Sequence, residues 1–86
     1  MQIFYDKNFL KAVSALPKNI QIKLAKLLEI LRQNPFHALL HTKHLSEKLT
    51  GFLSFRITRE WRVTFYFKDA DSIHLINVAH RRDIYR

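Results

Sequence analysis

Residues 54–67 read SFRITREWRVTFYF, and no other stretch limits the fold as tightly. Strict alternation sends Trp61, Val63, Phe65 and Phe67 to one side and Arg62, Thr64 and Tyr66 to the other, which is the period of a pleated strand and not of a helix. Gly51 opens the stretch, which reads as two β-strands joined by a tight turn. One face of this pair is aromatic and must be covered. The other carries Arg62, with Arg56 close to it on the preceding strand, and reads either as a solvated face with ion pairs, for instance to Glu60, or as a phosphate-binding surface.

The cover for the aromatic face is written upstream. Residues 2–5 predict a short edge strand, after which Asp6 is placed to cap a first helix whose apolar face is Phe9, Leu10, Val13 and Leu16. Pro17 suits the first turn of a second helix, where its missing N–H costs nothing. In that helix Ile20, Leu24, Leu27, Leu28 and Leu31 recur at spacings of three and four, while Lys18, Lys23, Lys26 and Arg32 fall elsewhere on the cylinder. Asn34 and Pro35 end it. The pattern then blurs, and residues 36–50 are expected to form a loop holding one helical turn or a short strand around residues 43–49. Lys68, Asp69, Ala70 and Asp71 make a turn, and residues 72–79 form a last strand, apolar on both faces and therefore central. The order is β-α-α-β-β-β. It predicts an α+β fold, a single domain over residues 1–86, with a helical hairpin packed on one face of a small, mostly antiparallel sheet.

Fifteen Lys and Arg oppose seven Asp and Glu, a formal charge of +8, so the chain attracts polyanions such as nucleic acid. The absence of cysteine removes disulfides, thiolate zinc sites and a cysteine nucleophile together. Residues 1–7 show no signal-peptide pattern and no apolar run approaches the ~18 residues of a membrane span, so a cytoplasmic protein with no membrane partner is expected. His37, His41 and His44 fall at i, i+4 and i+7, a spacing that would align three imidazoles on a helix. With no carboxylate or thiolate to complete a ligand set and Pro35 just upstream, a solvated basic loop is the expectation, and neither metal nor cofactor is assigned.

The segment LSEKLTGFLSFRITREWRVTFYF, the acidic turn and strand after it, and the terminal HRRDIYR together resemble the RelE/ParE superfamily of bacterial toxin–antitoxin toxins, as does the upstream LPKNIQIKLAKLLEIL. The likeness spans nearly the whole chain, and its specificity lies in the combination: Leu45, Leu49 and Gly51; Arg56 and Ile57; Trp61, Arg62 and Val63; then His80 through Tyr85. It implies the fold derived above. For the RelE-like branch it further implies an endoribonuclease that enters the ribosomal A site and cuts mRNA without a metal, with a cognate antitoxin, the ribosome and mRNA as partners. The chemistry is attack of a ribose 2′-OH on the adjacent phosphate, which needs a base, an anion hold and a proton donor.

Carried over residue by residue, the resemblance makes Arg62 the group that holds the phosphorane charge, because a guanidinium forks onto two phosphate oxygens. Arg56 matches the YoeB-like branch, and Arg81 matches a C-terminal family arginine. Tyr85 resembles a terminal tyrosine that stacks on a base or orients the sugar. Two departures bear on proton transfer. RelE carries lysines on the strand occupied here by Phe52, Leu53, Ser54 and Phe55, and the YoeB-like glutamate position holds Lys43, with Glu47 near but offset. His80 is then the expected proton-transfer group, since imidazole both accepts and donates protons near neutral pH. Lys43, Lys48, Arg59, Arg82 and Arg86 are the expected RNA contacts. A ParE-like gyrase inhibitor and a non-catalytic RNA-binding module on the same fold are the alternatives.

Overall fold

In a computed structural model of the chain, residues 1–45 and 49–83 are described. They form strand β1 (Gln2–Tyr5), helices α1 (Lys7–Ser14) and α2 (Lys18–Gln33), a 3-10 turn at Ala38–Leu40, and strands β2 (Lys43–His44), β3 (Leu53–Arg56), β4 (Trp61–Asp69) and β5 (Ser72–His80). The five strands make one sheet in the order β1-β5-β4-β3-β2. β1 runs parallel to β5 and every other pair is antiparallel. The expected α+β architecture is present, with β2 as an added edge strand: Lys43 pairs with Ser54 and His44 with Leu53.

Burial follows the two periods in the sequence. Phe9 and Leu16 from the first helical region, and Ile20, Leu24, Leu27 and Leu31 from α2, pack onto Leu53, Phe55, Val63, Phe65, Ile73, Leu75 and Val78 of the sheet. Covering Phe55 and Phe65 completely is the largest apolar contribution β3 and β4 make, at about 1.5–3 kcal/mol per large side chain. The turn between β3 and β4 contains no glycine and closes on Thr58, whose hydroxyl accepts hydrogen bonds from the backbone N–H groups of Glu60 and Trp61. Gly51 has φ +95, a backbone that a side-chain-bearing residue rarely adopts, and so redirects the chain into β3.

Several local expectations differ from the fold. Leu10 is exposed, because α1 is short and turns Phe9, Ala12 and Val13 inward. Pro17 occupies the N-cap position of α2, not its first turn, and its carbonyl accepts from Ile20 and Gln21. Asp6 stands at the N-cap of α1, yet its side chain makes no capping hydrogen bond. The last strand is internal, as expected, with β5 lying between β1 and β4. β5 also extends to His80, and it is apolar toward the helices only, carrying His74 and Asn77 on the other side. His37 caps the 3-10 turn, His41 ends it in a left-handed conformation (φ 50), and His44 stacks on Phe36 in β2. The three imidazoles thus sit on a turn and a strand, not along one helix face. No described helix is long and apolar enough to cross a membrane.

Candidate active site

Alternation along β4 turns Arg62, Thr64 and Tyr66 away from the helices, and the cross-strand register builds a face in rows. Arg56 lies directly opposite Arg62, with Ala79 on the far side. The next row is Lys43, Ser54, Thr64 and Asn77. The third holds Tyr66, His74 and Phe4, and Phe52 meets the Tyr66 ring edge-on at 5.9 Å.

Two guanidinium groups facing each other across adjacent strands repel, and Cβ atoms at such positions are only ~5 Å apart. Glu60, which would be the nearest carboxylate in sequence, is committed elsewhere: its Oε2 lies 3.0 Å from His80 Nε2. Among the described residues, Arg56 Nε and Arg62 Nε are both buried and have no hydrogen-bond partner. A buried donor without an acceptor costs about 1–3 kcal/mol. Two such donors side by side, each on a fixed positive charge, are chemically suited to an anion with several acceptor oxygens.

His80 does not share the arginine face. A register shift between Thr64 and Phe65 inserts one extra residue, Ile76, into β5, so Asn77 and Ala79 face the arginine side while Val78 and His80 face the helix side. His80 stands opposite Trp61, edge-to-face at 5.5 Å. Its Nδ1 accepts the Arg82 backbone N–H at 3.2 Å, which leaves Nε2 to carry the proton donated to Glu60. Both ring nitrogens are engaged.

The other expected residues scatter around this centre. Arg81 and Arg82 are exposed in the turn after β5, with the Arg81 backbone N–H donating to the Glu60 carbonyl at 2.7 Å. Arg59 is exposed in the turn between β3 and β4, and Lys43 is exposed on edge strand β2, in the row beside the arginines. Tyr85, Lys48 and Arg86 lie outside the described residues, as does Glu47.

One constellation is absent from the sequence reading. His74 Nε2 lies 2.6 Å from Asp6 Oδ1, and His74 Nδ1 lies 3.2 Å from the Tyr66 hydroxyl, with the Tyr66 and His74 rings stacked at 5.3 Å. An ionised carboxylate only accepts, so Nε2 carries the proton and, in the neutral ring, Nδ1 accepts from the tyrosine O–H. Asp6 was legible only as a helix cap, and His74 was hidden in a strand read as apolar.

No protein-family model matches the chain, and no curated protein matches its sequence. Solved structures do. YafQ from E. coli strain BL21(DE3) superposes with a TM-score of 0.81 at 18% identity, covering 99% of this chain and 98% of that one. A YoeB/ParE toxin from Agrobacterium tumefaciens gives 0.80 at 18% identity over 94% and 99%. The archaeal RelE–RelB complex from Pyrococcus horikoshii OT3 gives 0.78 at 22% identity over 95% and 96%. Identities this low establish architecture alone: the chain is built on the fold of the RelE/YoeB-like toxins.

Proposed function

We propose that the chain is the toxin of a type II toxin–antitoxin pair and acts as a ribosome-dependent mRNA endoribonuclease, using Arg62 and Arg56 to hold the scissile phosphate. The observation that carries this reading is the cross-strand arginine pair with two buried, unpartnered Nε donors on the face away from the helices. A phosphodiester supplies what the pair lacks: two non-bridging oxygens that accept several N–H groups and a negative charge that grows toward the phosphorane. Attack by the ribose 2′-OH forms the new P–O bond and expels the 5′ oxygen, leaving a cyclic phosphate. The ribosome supplies the positioning that an 86-residue chain has little surface to provide. The RelE of Pyrococcus horikoshii was solved with its RelB, and an antitoxin partner for this chain follows by the same likeness of fold.

The test is single-turnover cleavage of mRNA on programmed ribosomes, with 5′ ends mapped. The expected result is cuts within the A-site codon, little cleavage of free RNA, and a loss of about 10²–10³ in rate for Arg62→Ala. Wild-type cleavage by Arg62→Ala would remove the phosphate assignment. Uncut transcripts together with trapped gyrase–DNA complexes would instead make the chain a ParE-like gyrase inhibitor.

A further inference from the structure

We infer that Tyr66, held by His74 and Asp6, is the proton acceptor for the 2′-OH on the arginine face. This rests on the nuclease reading above and gives to Tyr66 the proton-transfer role that the sequence pointed to in His80.

The geometry is that of a relay. The Asp6 carboxylate fixes the proton on His74 Nε2, which turns the basic Nδ1 toward the Tyr66 hydroxyl. Stacking of the two rings and the edge contact from Phe52 hold the phenol in one orientation. Tyr66 and His74 face each other across the β4–β5 hairpin, and the fold brings Asp6 to them from the entry to α1, 68 residues away in sequence. His74 is mostly buried and Asp6 half-exposed, their side chains being 21% and 43% accessible, so the pair is shielded without being sealed.

Position on the face completes the argument. Arg62 and Tyr66 flank the row of Ser54, Thr64 and Asn77 along β4, about 13 Å apart between Cα atoms at the usual rise per residue. The intervening side chains are short. That row is buried at Ser54, half-buried at Thr64 and exposed at Asn77, so it opens toward the side where His74 lies. A ribose with its 3′ phosphate laid over Thr64 directs the phosphate to the guanidinium and the sugar hydroxyl to the phenol. In the step, the 2′ oxygen bonds to phosphorus while its proton passes to the Tyr66 oxygen and the Tyr66 proton passes to His74 Nδ1. The P–O5′ bond breaks and the 5′ oxygen takes a proton from water. The imidazolium, paired with Asp6, returns its proton to solvent. The charged and titratable groups around His74 are Asp6 at the start of α1, Tyr66 on β4, and Lys68, whose ammonium lies 4.4 Å from the ring centre of Phe4 in the neighbouring strand.

The experiment measures single-turnover cleavage on programmed ribosomes for the wild type, Tyr66→Phe, Asp6→Asn, His74→Asn and Arg62→Ala, with ribosome binding and thermal melting recorded for each. Tyr66→Phe keeps the stacked ring and removes only the hydroxyl, and should lose about 10²–10⁴-fold in rate with binding and melting unchanged. Asp6→Asn should lose a similar factor, because an amide donating to Nε2 moves the ring proton to Nδ1. His74→Asn should lose a similar factor, because the acceptor for the Tyr66 proton is then gone, and ribosome binding should be unchanged. A Tyr66→Phe variant that cleaves at the wild-type rate while Arg62→Ala does not would overturn the relay and leave the nuclease reading standing. No cleavage by the wild type under any condition would overturn both.

Discussion

The arginine pair shows what a single residue contributes when its role is not to stabilise. Arg56 and Arg62 stand opposite each other with their Nε groups desolvated and unpartnered, so either charge can be removed without breaking an ion pair among the described residues. We expect Arg62→Ala to leave the thermal midpoint unchanged or raise it, because relief of like-charge repulsion offsets the weaker packing of the side-chain stem; a scanning melt of the purified chain beside its cleavage rate checks this. His80 predicts the opposite. Its ring meets Trp61, donates to Glu60 and accepts from the Arg82 backbone, so His80→Ala should destabilise the fold by about 1–2 kcal/mol, read from denaturant unfolding. Both residues were visible in the sequence, but only for Arg62 does simple alternation point to the correct face. His80 would share the arginine side if β5 were regular, and the extra residue at Ile76 turns it over.

At the level of elements, legibility followed length. The sixteen residues of α2 carry more than four turns of spacing, and β4 carries nine residues of alternation, so each period is overdetermined and each appears in the structure. β2 is two residues long, too short to have a period at all; it exists because Lys43 and His44 come alongside β3. The relay has the same origin. Tyr66 and His74 face each other across one hairpin, but Asp6 reaches His74 from 68 residues away through the pairing of β1 with β5, information that no local pattern contains. Gly51 belongs to this scale too, since its positive φ sets the entry of β3 and so the placing of Arg56 opposite Arg62. Open space surrounds the position of a Cβ there, so Gly51→Ala should cost only the backbone term, about 1–2 kcal/mol, measured by denaturant unfolding. A much larger loss would mean that the β3 register depends on more than this turn.

The whole molecule carries +8, and a field of that size draws any polyanion toward it whether or not a site exists. Net charge and local receptor make different predictions for the same number of charges. Lys18 and Lys26 are exposed on α2, on the helical side of the sheet, whereas Arg56 and Arg62 converge on the opposite face. The double variants Lys18→Gln/Lys26→Gln and Arg56→Gln/Arg62→Gln each lower the charge by two, so non-specific attraction weakens equally in both. Both fall on exposed or half-exposed side chains, so the apolar layer between helices and sheet stays in place. Where the arginines bind phosphates, only their removal sets those phosphates free, and the slope of log affinity for a short single-stranded RNA against log salt should fall by about 0.7 for each phosphate no longer neutralised. The lysine pair should leave that slope nearly untouched. Equal slopes for the two double variants, measured by fluorescence anisotropy across a salt titration, would assign RNA binding to the field of the entire molecule and remove the arginine face as its seat.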